Sequence, residues 1–225
     1  MSHHGRAGAI LAIDTAMSRV VIATGTTDGA AGDVTTWEPG HRHGETLLPS
    51  ISRVLGEANI GRSHLSAIVV GTGPGAFTGL RVGIATAKGL AHGLAIPLVG
   101  GSTAECLMAA AAIAHPVLLL PAGPSDRVLV RPGDGPRLLR GGGDPGLDPG
   151  ETLIAVDLVG RAPDDAAARG ETARAGLASA LLSAGVARLR AYPDGELATL
   201  VPEYVTPPRG AKPTEGTVTW SRDHR

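Results

Sequence analysis

Ile68-Val69-Val70-Gly71-Thr72-Gly73-Pro74-Gly75-Ala76-Phe77-Thr78-Gly79-Leu80-Arg81-Val82-Gly83 is an apolar run that breaks into glycines and then opens a long Gly/Ala-rich segment of helical spacing. A strand that ends in glycines ahead of a helix brings backbone close to something else, either a phosphate or another piece of protein. The phosphate reading fits poorly. A P-loop closes with Lys and then Ser or Thr, whereas Gly79 is followed by Leu80. A dinucleotide fingerprint needs G-x-G-x-x-G; here Pro74 removes one N–H and the third glycine falls at the wrong offset.

The packing reading fits better. With Thr78 as N-cap, the small residues Gly79, Gly83, Ala87 and Ala91 recur at every fourth position and leave a stripe that another helix can approach closely. Leu80, Ile84, Ala87, Ala91 and Leu94 give the same helix an apolar face. Each glycine costs ~1 kcal/mol of helix stability relative to alanine, so a sequence that keeps several needs the missing side chains for contact. Spacing alone leaves open whether that contact is the domain's own core or another chain.

Upstream, His41-Arg42-His43-Gly44-Glu45-Thr46 leads into Leu47, Leu48, Ile51, Val54, Leu55 and Ala58, again at helical spacing, broken off by Asn59 and Gly61. Pro49 reads as a first-turn residue, where its missing N–H costs little. The residue four after His43 is Leu47, so no pair of ligands shares a helical face; His64 and His92 are isolated, and no metal site can be argued.

Three motifs, in this order along the chain, carry a resemblance: Ile10-Leu11-Ala12-Ile13-Asp14-Thr15-Ala16, His43-Gly44-Glu45-x-Leu47-Leu48-Pro49-x-Ile51, and Gly-Pro-Gly-x-Phe-Thr-Gly-Leu-Arg-x-Gly over Gly73 to Gly83. Together they resemble the bacterial TsaB (YeaZ) family from about Ile10 to Thr103. The resemblance implies an α/β, actin-like ATPase (ASKHA, ribonuclease H-like) fold with two lobes, mixed sheets and flanking helices, whose own catalytic apparatus has decayed. It implies a partner of TsaD in making threonylcarbamoyladenosine beside the tRNA anticodon, with a TsaE-like ATPase in a larger complex, tRNA met only indirectly, and no cofactor of its own. It also implies that the two helices form the docking surface. The interface residues expected on that basis are Leu47, Leu48, Ile51 and Leu55 from the first helix and Gly79, Gly83, Ile84, Ala87 and Ala91 from the second. On this reading Gly83→Trp or Ala87→Arg abolishes association and leaves a folded protein. The same surface implies a homodimer when the partner is absent.

The residues agree with such a fold. Ala9 to Asp14, Val20 to Thr24 and Asp33 to Trp37 read as strands joined by short turns, ahead of a helix-strand-helix unit. Asp14 is followed by Thr15 and Ala16 with no glycine nearby, and reads as a cap on its own turn ahead of any metal-phosphate role. Ser102 caps a helix from Ala104 to Ala114; Val117 to Leu120, Val128 to Val130 and Leu153 to Val156 read as strands, and Asp164 to Ala184 as a helix. Family members carry an Asp-Ala-Arg-x-Gly-Glu-Val-Tyr-like hairpin where this chain has Pro121-Ala122-Gly123-Pro124-Ser125-Asp126-Arg127, so nothing is transferred there. Gly141 to Gly150 reads as a flexible loop. The expected organisation is an N-terminal lobe over 8–103, a degenerate second lobe over 104–205, and a mobile tail over 206–225.

Composition narrows the function. The chain has 225 residues and a net charge of −1, which does not suit an independent tRNA binder needing clustered cations. One Phe, two Trp and two Tyr make no stacking platform. The single Cys106 sits among apolar residues and reads as a small buried hydrophobe; with no signal segment or long apolar run, a cytoplasmic protein is expected. The competing readings are an ATP-binding enzyme or a peptidase of the actin-like superfamily, and a self-associating protein. A peptidase lacks a nucleophile–base spacing, and a kinase has only Asp14 plausibly placed.

Overall fold

The structure, a computed structural model, describes residues 8–38 and 43–205; the His41-Arg42 entrance to the first helix and the expected tail from Thr206 onward lie outside the described residues. Strand β1 (Ala9–Asp14) is the centre of a five-stranded sheet in the order β3-β2-β1-β4-β5, with β2 (Val20–Thr26) and β3 (Ala31–Trp37) antiparallel to their neighbours and β4 (Leu65–Gly71) and β5 (Leu98–Gly101) parallel. A second sheet repeats the scheme in the order β8-β7-β6-β9, built from β6 (Pro116–Pro121), β7 (Arg127–Val130), β8 (Arg137–Leu139) and β9 (Thr152–Ala155). In each sheet a three-stranded meander is followed by a parallel strand on the far side of the first.

β1 is apolar at every position before Asp14 because both of its faces are covered. Leu11 and Ile13 join Ile22, Ile68 and Val70 under the helices α1 (His43–Glu57) and α2 (Phe77–Leu94). Ile10 and Ala12, one residue out of step, face α3 (Thr103–Ala111) and α4 (Asp164–Ala191). The 28-residue α4 spans both lobes through two glycines: a Cβ at Gly170 would run into the Ala155 carbonyl of β9, and one at Gly185 into Val69 of β4. The outer edge of β5 is partly covered by a later segment, with Glu196 N donating to Leu98 O at 2.6 Å and Glu203 N to Thr72 O at 2.8 Å. The first bond occupies part of the free edge of β5, and the second holds the segment to the residue after β4.

Several local expectations change. Pro49 lies inside α1, since the helix already begins at His43, and the turn proceeds without the bond that Pro49 cannot donate. Thr78 is not the cap of α2: the helix starts at Phe77 with Ala76 as a cap that lends no side chain, and Ala76 N donates instead to Ala16 O at 2.8 Å. Ser102 does cap α3, its hydroxyl accepting from Glu105 N, but the helix stops at Ala111, where Ala112 turns left-handed. The 141–150 loop is pinned by Arg131, whose guanidinium holds Glu151 at 2.6 Å and donates to Gly146 O at 2.9 Å. That pairing also holds the Glu151 carboxyl down at about 2.

Gly170→Val should destabilise the fold by about 2 kcal/mol or more, because the new side chain meets backbone that cannot move aside. Urea unfolding tests this; an unchanged midpoint contradicts the packing of α4 on β9.

Candidate functional site

The loop between β4 and α2 is wrapped around its own chain. A Cβ at Gly71 would collide with the Asp14 carboxylate, one at Gly75 with the Ala16 carbonyl, and one at Gly83 with the Thr15 hydroxyl. Its polar groups are engaged as well. Gly73 N donates to Thr103 Oγ1 at 3.1 Å, while Ser102 Oγ and Ala104 N both donate to Gly73 O at 3.3 Å. Thr15 Oγ1 donates to Gly79 O at 2.8 Å. A phosphate cradle requires N–H groups that point at the ligand, and here Gly73 and Ala76 spend theirs internally.

Asp14 sits under this loop with no solvent exposure. It caps its own turn through Ala16 N at 2.8 Å and accepts from Thr103 Oγ1 at 2.6 Å. Burial pushes its carboxyl up to about 6, against the downward pull of those two hydrogen bonds. Cys106 is buried, and desolvation pushes its thiol up to about 12, which suits packing and not nucleophilic chemistry. No group of three or more His, Cys, Asp or Glu that could hold a metal occurs among the described residues.

The structure brings the nine expected interface residues together but points most of them inward. Leu47, Ile51, Ile84, Ala87 and Ala91 are buried in the core beneath α1 and α2, and Gly79 and Gly83 are buried on the same side of α2. The every-fourth-residue stripe is the face that packs on the sheet, so it makes room for β1 and its turn and not for a neighbouring chain. Leu48, at 51% exposure, and the half-buried Leu55 remain accessible.

An outward-facing groove does lie between the two helices. It encloses about 610 Å3 and is walled by Leu48, Ser52 and Leu55 of α1 and by Gly89, Leu90 and Gly93 of α2. At Gly56, Gly89 and Gly93 a Cβ would meet nothing within 4 Å. These are the glycines that open a surface, and their i,i+4 spacing on α2 was present in the sequence but masked by the stronger inward stripe.

Two long-range clusters escaped sequence reasoning. Arg81 lies 3.7 Å over the Phe77 ring, and its Nε donates to Tyr204 Oη at 3.0 Å, so the signature segment clasps the chain's last described residues. Ser18 N and Oγ donate to the two Asp157 carboxylate oxygens at 2.7 and 2.8 Å, and Arg174 Nη1 donates to the same group at 2.6 Å. This clamp ties the β1–β2 turn to the loop between β9 and α4.

Two outcomes follow from this geometry. Gly83→Trp should prevent folding, read as loss of a cooperative thermal transition, because the indole has to displace Thr15 and the end of β1; a native-like transition would refute the inward placement. Asp14 supplies a pH signature. Its folded value of about 6 lies above the ordinary 3.8, so its protonated form favours the fold: the contribution is complete below about pH 4 and is lost as pH rises through about 6. The unfolding free energy of Asp14→Asn minus that of the native protein should therefore rise by about 3 kcal/mol from about pH 3 to about pH 7, and a pH-independent difference would exclude it.

The comparisons bear on what this geometry belongs to. A family model described as "TsaD: tRNA N6-adenosine threonylcarbamoyltransferase" matches residues 37–135, which include both groove helices. An uncharacterized protein of Mycobacterium leprae is 43% identical over 96 residues, 40% of this chain and 26% of that protein. The "tRNA threonylcarbamoyladenosine biosynthesis protein TsaB" of Escherichia coli is 37% identical over 94 residues, 42% of this chain and 40% of its own length. The chain thus spans less than half the length of these relatives. The solved structure of YeaZ from Pseudomonas aeruginosa superposes with a TM-score of 0.63 at 22% identity, covering 88% of this chain and all of that one. The fold is the α/β fold seen in YeaZ, with two mixed sheets and flanking helices. In sequence the chain is similar to TsaB proteins over 94 residues, and in fold it is similar to YeaZ.

Proposed function

We propose that this chain acts in the synthesis of threonylcarbamoyladenosine in tRNA, as a non-catalytic subunit that docks on a TsaD-like threonylcarbamoyltransferase through the groove between α1 and α2. The observation that carries this reading is the contrast between the two sets of glycines. Those of the signature loop are filled by the chain's own Asp14, Ala16 and Thr15, leaving no cradle for a nucleotide. Those at 56, 89 and 93 face open space along an apolar groove, the surface a partner helix needs for close approach. Leu48, Ile51 and Leu55 are the expected interface residues that line this groove, Ile51 from its buried floor. An interface on the order of 1,600 Å2 fits such a heterodimer, with a TsaE-like ATPase joining the larger complex and tRNA held by the partner. Self-pairing through the same groove is the corresponding state of the isolated chain.

One observation favours a second reading, an enzyme: the matching family model bears a transferase's name. Against it stand the spent amides of the 71–76 loop and a buried Asp14 with no open side toward a ligand. Titration of the isolated chain with ATP and Mg2+ separates the two, with no saturable heat expected for the subunit and micromolar binding with turnover for the enzyme.

The subunit reading is tested by reconstituting tRNA modification from TsaD-like transferase, threonylcarbamoyl-adenylate and tRNA, with and without this chain. Omission should abolish or strongly slow product formation. Gly89→Trp and Leu48→Arg should weaken partner binding by about thirtyfold or more while leaving the unfolding transition in place. Equal product formation without the chain would overturn the proposal.

A further inference from the structure

The lining of the groove includes a charge that the docking reading does not use. Arg62, in the short 3-10 turn Arg62–His64 that joins α1 to β4, lines the groove beside Gly61 and is exposed. It has no ion-pair partner among the described residues. The nearest carboxylate in sequence, Glu57, is taken: Arg53 Nη1 holds both its oxygens at 2.9 Å. The chain as a whole has a net charge of −1, so Arg62 puts a positive charge in the lining of the groove on a near-neutral protein.

We infer that the helix seated in this groove presents a carboxylate to Arg62, beside small and apolar residues that pack on Gly89 and Gly93. This deepens the docking reading and rests on it. An apolar seat with one cation in its lining constrains both direction and partner choice. A helix entering in reverse, or one with a basic residue at that point, would leave Arg62 desolvated without a counter-charge. Such an arrangement suits a protein helix better than RNA. The groove walls are mostly leucines, isoleucines and glycines with no ring to stack a base, and one cation is too few for phosphate neutralisation.

The test uses the full chain and the TsaD-like subunit, with affinities measured at about 50 and 500 mM salt for the native protein, Arg62→Glu and Gly89→Trp. Both positions are exposed, and thermal unfolding verifies that the variants fold. Arg62→Glu should bind about tenfold more weakly at low salt, with the gap narrowing at high salt, and Gly89→Trp should lose binding at both. An Asp→Arg or Glu→Arg change on the partner helix should restore Arg62→Glu. If Gly89→Trp is defective while Arg62→Glu matches the native protein at both salts, the groove reading survives and this inference falls. If both variants bind normally, the groove is not the docking surface and both fall. A loss of tRNA retention by Arg62→Glu with unchanged partner affinity assigns the charge to RNA and overturns the inference.

Discussion

A carboxylate with no access to water holds this molecule together. Asp14 ends the central strand, and its two oxygens are taken by the turn that follows it and by Thr103 at the start of α3. The glycine at the end of β4 exists because that carboxylate occupies the space a side chain would fill. Three segments far apart in sequence are thereby fixed around one group, and an acid that is unfavourable to bury becomes tolerable through its hydrogen bonds. The surrounding segments of the same chain have closed over it.

That closure sorts the glycines. Gly71, Gly75, Gly83, Gly170 and Gly185 admit other parts of the same chain, and their neighbours sit where a Cβ would be. Gly56, Gly89 and Gly93 admit nothing that belongs to the chain. Residue type is identical in the two sets, and the i,i+4 spacing on α2 serves both, Gly79 and Gly83 inward and Gly89 and Gly93 outward. Helical periodicity locates a stripe but carries no sign for inside or outside, because both sides of this helix are poor in large residues.

The strands and helices of the first lobe were legible because alternation and 3.6-residue spacing are strong there: Ala9–Asp14, the helix ahead of Asn59 and the long helix after the signature loop all fall where the sequence puts them. The failures have local causes. Thr78 looks like a cap, but a backbone bond from Ala76 to Ala16 already orders that turn. β8 is three residues long, too short to show a period. The Ser18–Asp157 clamp joins residues 139 apart and the Arg81–Tyr204 clasp residues 123 apart, so no window of sequence contains either. The Arg131 anchor of the 141–150 loop escapes for the same reason, since an Arg among glycines and prolines gives no sign of its partner.

The segment that covers part of the rim of β5 lies roughly a hundred residues beyond it. Glu196 and Glu203 reach back to Leu98 and Thr72, so the first sheet, although complete in its strands by residue 101, keeps a raw flank until those residues have been synthesised. On the ribosome the lobe bearing the groove therefore waits for a distant stretch of chain before that edge is protected.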